Sequence, residues 1–171
     1  MSSKQSYSGN RIKTLAVYSL LCAFCIVCGY IEFLIPTAAI APGVKLGISN
    51  SVALVLLIKG DIKGAFAVNI TRILLSALLF GSPFSLLFSF CAGVISTVVC
   101  AVLIKMPKLS PIGVSVAGAV CHNTVQIAIA SFIFGKGVWF YLPVLILSGV
   151  ICGTAIGLLG IVLTEKIKSD F

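Results

Sequence analysis

Six apolar runs, separated by short turns that hold nearly all the charge, leave this chain one solvent in which it can fold. A bilayer's hydrocarbon core is about 30 Å thick and takes roughly 20 apolar residues per helix. The runs lie at residues 14–35, 44–59, 63–81, 84–104, 111–134 and 138–163 of 171. Charged residues are only 9% of the chain, against about 25% in a soluble domain. The expectation is an all-α integral membrane protein, a six-transmembrane-helix bundle forming one domain over residues 14–164. Residues 1–13 read as a basic cytoplasmic tail, unstructured up to the membrane, and 165–171 as a short charged tail. A cleaved signal peptide is the rival reading of the first run. That run is too long for a signal h-region and carries Glu32, so a retained helix is preferred.

Loop charges orient the bundle. With six crossings and an inner N-terminus, Lys4, Arg11, Lys13, Lys59, Lys63, Lys105, Lys108, Lys166 and Lys168 are cytoplasmic, and Lys45 and Lys136 external. If the short second run did not cross, most of these cations would move outside. The positive-inside rule therefore favours six spans in the cell membrane with both termini cytoplasmic. The second run can cross if it starts within a partly buried loop or thins the bilayer locally. The formal charge of +8 then reports topology and contact with anionic lipid headgroups, not nucleic acid.

Within this frame Arg72 stands out. It lies nine residues inward from Gly81, about 14 Å at helical rise, where an arginine costs about 2.5–3.5 kcal/mol on insertion scales. A weak parallel repeat at an offset of 54 residues sets Asn69 against Asn123 and Arg72 against Gln126. His122 and Gln126, four apart, share a helix face, as do Asn69, Arg72 and Ser76. Glu32 nears the external end of the first span, and Lys45 and Asn50 belong to the loop and start of the second. The candidate substrate-binding set is Glu32, Lys45, Asn50, Asn69, Arg72, His122, Asn123 and Gln126, around a pocket open to the outside. Two plainer readings compete. Asn, Gln and His can serve as interhelical hydrogen-bond glue, and Arg72 can pair with Glu32 as a buried salt bridge.

Other chemistry is poorly supplied. The chain has no GxxxxGK[ST] phosphate loop, and its aspartates, Asp61 and Asp170, cannot form a motif holding Mg²⁺ on a diphosphate. A lone histidine without a carboxylate near it in sequence makes a metal site or triad hard to build. No enzyme activity, cofactor or metal is expected. Seven cysteines fall inside apolar runs, and the Cys22, Cys25, Cys28 spacing reads as small packing residues. Glycines 149, 153, 157 and 160, and the small face Ala16, Ser19 and Ala23, are packing signals for helices within the bundle or for a partner subunit.

At PGVKLGISN (residues 42–50), the Arg72 span and SPIGVSVAGAVCHNTVQ (residues 110–126), the chain resembles the Gx transporter family, whose members are often labelled heptaprenyl diphosphate synthase component I. That family is similar to the S components of energy-coupling factor transporters. These are six-helix substrate-binding bundles that borrow two ATPases and a transmembrane coupling protein. The resemblance implies a small-molecule ligand near the external side and a lid over residues 36–50. It places Arg72, His122, Asn123 and Gln126 toward the site, and Ala16, Ser19 and Ala23 at the docking face. The synthase label implies instead a non-catalytic membrane subunit beside a polyprenyl diphosphate synthase.

Overall fold

The computed structural model describes residues 2–34 and 47–166, with side chains from Ile12 onward. All described regular structure is helical: α1 (Ser2–Leu34), α2 (Ser51–Ile58), α3 (Ile62–Phe80), α4 (Pro83–Leu103), α5 (Pro111–Phe134) and α6 (Leu142–Lys166). A 3₁₀ turn at Ile48–Asn50 leads into α2, and another at Lys136–Tyr141 leads into α6. The segment expected as an unstructured tail is helical from Ser2. Extending an established helix costs far less than nucleating one. Lys45, most of the loop assigned as a lid, and residues 167–171 lie outside the described residues.

The turns follow local chemistry. Ser82-Pro83 and Ser110-Pro111 each begin a helix. The serine hydroxyls accept from Ser85 N at 3.1 Å and Gly113 N at 3.2 Å, and proline fills a first-turn position whose N–H would have no helical partner. Asp61 caps α3 in the same way, accepting from Gly64 N at 2.9 Å. Its other carboxylate oxygen accepts a short hydrogen bond from the Tyr18 hydroxyl, which ties α1 to the turn before α3.

α1 packs on α3, α3 on α4, α4 on α5 and α5 on α6, while α2 sits among α3, α4 and α6. Every residue of α2 from Ser51 to Leu57 is buried. This explains its all-round apolar sequence, since a helix without a polar face belongs inside protein or lipid. Five helices are long and apolar enough to cross a membrane; the apolar helix Ile48–Ile58 is shorter. Its eleven residues rise only about 17 Å. Surrounding helices cover it from Ser51 to Leu57.

The glycine ladder is used inside the bundle. A Cβ on Gly153 would stand 2.7 Å from Val116 Cα, and one on Gly157 2.7 Å from Ile112 Cα. α6 therefore meets α5 backbone to backbone, as small residues allow. Gly160 instead faces Leu54 of α2. Cys22, Cys25 and Cys28 are buried, and Cys22 and Cys25 join Val68 and Ala65 in the core between α1 and α3. Large apolar side chains such as Leu78, Phe132 and Phe140 cover the outside, as lipid contact demands.

Candidate functional site

The interior polar groups form a connected seam. Asn69, buried on α3, donates through Nδ2 to Thr97 Oγ1 at 2.8 Å and Gly93 O at 3.2 Å, both on α4. Its Oδ1 accepts from Arg72 Nη2 at 2.7 Å. The same Nη2 donates to Asn50 Oδ1 at 2.7 Å, and Nη1 donates to Ser49 Oγ at 2.9 Å. Ser49 is also held from the other side, its N–H donating to Glu32 Oε1 on α1 at 3.1 Å. Arg72 thus fastens the 3₁₀ turn to α3, and Asn69 carries the chain of bonds on to α4. Among the described residues, no ion pair joins Arg72 to Glu32, and the buried Arg72 Nε and Ser76 Oγ have no partner.

Backbone form puts Ser49 and Asn50 where Arg72 can reach them. Gly47, just before the turn, has φ 74°, a left-handed conformation that glycine adopts without steric cost. A Cβ there would also come within 3.1 Å of Ile156 Cδ1. Residues 47–50 therefore turn tightly into α2 and present two polar side chains in succession.

A cavity of about 60 Å³ adjoins this seam, between α2, α4, α5 and α6. Asn50, Ser96, Thr97 and His122 line one part, and Leu57, Cys100, Ser115 and Gly118 another. Ser96 Oγ lies 3.5 Å from His122 Nδ1. Ser115 stands seven residues before His122, about 10 Å along the helix and near the start of α5. The cavity therefore continues away from the Gly81 and Gly135 ends, toward the start of α5. Glycine and alanine at 118, 119 and 53 leave that volume open.

The two asparagines matched by the repeat behave alike. Asn69 Nδ2 donates to Gly93 O of the following helix, and Asn123 Nδ2 donates to Leu145 O of its own following helix at 2.7 Å. Each lies beside a glycine there: a Cβ on Gly93 or Gly149 would be 3.5 or 3.1 Å from the respective Nδ2. Asn123 thus turns toward α6 and joins α5 to it. Arg72 and Gln126, matched in the same repeat, differ. Gln126 is half-buried and hydrogen-bonds none of the described residues, whereas Arg72 is engaged by three oxygens.

Of the sequence candidates, Glu32, Asn50, Asn69 and Arg72 share one seam, and His122 shares the cavity with Asn50. Sequence reasoning passed over Ser49, Ser96 and Thr97. Their signal was faint: Ser49 precedes Asn50 directly, and Ser96-Thr97 is a polar pair inside an apolar run. Ala16, Ser19 and Ala23 are exposed on α1. Among the described residues, no group of three His, Cys, Asp or Glu could hold a metal ion.

A family model described as heptaprenyl diphosphate synthase component I matches residues 21–163. No curated protein and no solved structure matches the chain.

Proposed function

Since the chain belongs to the heptaprenyl diphosphate synthase component I family, we propose that it is a membrane-embedded substrate-binding subunit of an energy-coupling factor-like importer for a small metabolite. One observation carries this reading: the Arg72 seam and a neighbouring cavity meet at Asn50 deep in an apolar bundle. Polar groups are costly at that depth and there mark ligand or ion sites more often than elsewhere. Asn50 and His122 would form the binding wall, with Arg72 behind it holding Asn50 in place and Gln126 toward its outer end. Asn69 and Asn123 would hold the helices that carry them. The bundle would cross the membrane six times with both termini cytoplasmic, α2 being the crossing enclosed by the others. A transmembrane coupling protein and ATPase subunits would supply the work. The exposed Ala16, Ser19 and Ala23 support docking of the former.

The family description favours a second reading, a non-catalytic membrane subunit of polyprenyl diphosphate synthesis. Mild purification from native membranes separates the two. Stoichiometric recovery of a coupling protein with ATPases supports the importer; a soluble prenyl synthase in their place overturns it. A thermal-shift screen with vitamins, their precursors and isoprenoid compounds then tests the site. A ligand binding equally well to Arg72→Ala and His122→Ala variants would rule out the assigned wall.

A further inference from the structure

Arg72 has the charge to attract an anion, but its geometry leaves little with which to bind one. A guanidinium offers five N–H groups and receives a carboxylate on one of two flat edges, Nε with Nη2 or Nη1 with Nη2. Both edges need Nη2. Here both N–H groups of Nη2 are committed, to Asn50 Oδ1 and Asn69 Oδ1, and Nη1 donates to Ser49 Oγ. Nε is buried from contact. Arg72 therefore acts on Asn50, holding its carbonyl oxygen and leaving Nδ2 as the donor that this cavity-lining residue has to offer.

The cavity has a different character from the arginine beside it. Its lining residues include neither Asp, Glu, Lys nor Arg. Polar atoms come from Asn50, Ser96, Thr97, Ser115 and His122, against walls of Leu54, Leu57 and Ile156. Hydroxyl, amide and imidazole groups in an apolar frame suit an uncharged guest, because a formal charge would enter with no carboxylate, ammonium or guanidinium in the lining to meet it. We infer that the cavity between α2, α4, α5 and α6 is a binding chamber for an uncharged hydrogen-bonding group, such as an amide, alcohol or carbonyl, with Arg72 as a positioning residue. This rests on the substrate-binding reading and narrows its ligand class.

Cys100 lines the chamber and reports on it without a known ligand. The full-length protein in lipid nanodiscs is treated with methyl methanethiosulfonate, or with its sulfonatoethyl and trimethylammonium-ethyl analogues, and modification at each cysteine is read by peptide mass spectrometry. The neutral reagent should modify Cys100, and both charged reagents should do so at least about tenfold more slowly. Ala119→Leu, which narrows the chamber, should slow the neutral reaction while leaving Cys91 unchanged. Equal rates for neutral and charged reagents would overturn the inference. So would an inert Cys100 under conditions that modify Cys91 and Cys152. The readout requires no natural ligand or partner, so its failure is distinguishable from failure of the importer reading.

Discussion

Arg72 and Glu32 are joined through Ser49 and not to each other. Ser49 accepts from Arg72 with its hydroxyl at 2.9 Å and donates its backbone N–H to Glu32 at 3.1 Å. One residue of a 3₁₀ turn thus links the opposite charges of α1 and α3. The pairing gives Arg72 a specific organising task. It gathers three neutral oxygens from the turn and its own helix, and so sets the entry angle of the buried α2.

Replacing Arg72 tests that task. Arg72→Ala leaves Ser49 Oγ, Asn50 Oδ1 and Asn69 Oδ1 without their donor, and should destabilise the protein by about 1–3 kcal/mol. Arg72→Lys retains the charge but cannot bridge the three acceptors with the same planar geometry. It should recover less than half of the loss. Thermal unfolding in detergent, followed by circular dichroism, measures both.

The two matched asparagines should differ in function while resembling each other in packing. Asn123→Ala loses one interhelical bond, a cost of about 0.6–2 kcal/mol, and should leave the chamber intact. Asn69→Ala also releases Arg72 and Thr97, so it should both lower the melting temperature further and alter Cys100 labelling. Equal effects of the two variants on labelling would show that Asn69 is packing alone.

On the last helix, Gly153→Ala and Gly157→Ala should each cost about 1–3 kcal/mol, because the added methyl meets α5 backbone and cannot be accommodated by a side-chain rotation. Gly137→Ala is the control. Nothing lies within 4 Å of a Cβ there, and the change should stay within about 0.5 kcal/mol. Melting temperatures of the three variants give the comparison directly.

Where α1 meets the turn before α3, Tyr18→Phe should cost about 1.5–3 kcal/mol, the usual range for a hydrogen bond to a charged group. Asp61→Ala should cost about 1 kcal/mol more through loss of the α3 cap. Combining the two should add little beyond Asp61→Ala, since both remove one shared bond. A double-mutant cycle on thermal stability checks this.

Orientation is testable by chemical access. In sealed right-side-out vesicles, Lys136→Cys should take a membrane-impermeant maleimide, while Lys59→Cys and Lys105→Cys should react only after permeabilisation. The reverse pattern would invert the proposed topology. Peptide mapping separates these positions from the native cysteines.

Much of the fold was legible because lipid imposes a simple grammar. The edges of α3, α4 and α5 fall within a residue of the boundaries read from apolar runs and Ser-Pro or glycine stops. The site was legible only in part. A charge in mid-span advertises itself, so Arg72 and its neighbour Asn69 stood out. Ser49, Ser96 and Thr97 did not, because serine and threonine can satisfy themselves on their own helix backbone and are common in spans.

The sequence alone determined that this chain is a bundle of apolar helices with a charge near the middle of one of them, since lipid-length runs and short charged turns permit little else. Tertiary structure decided where each polar group points. Periodicity put Asn69 and Asn123 at one depth, but packing sent one to Arg72 and α4 and the other to α6. It also buried α2 from Ser51 to Leu57 and left a cavity between α2, α4, α5 and α6. Depth follows from counting residues along a helix. Direction follows from which helices meet, and that depends on glycines, alanines and a left-handed Gly47 whose role appears only once neighbouring backbones are in contact.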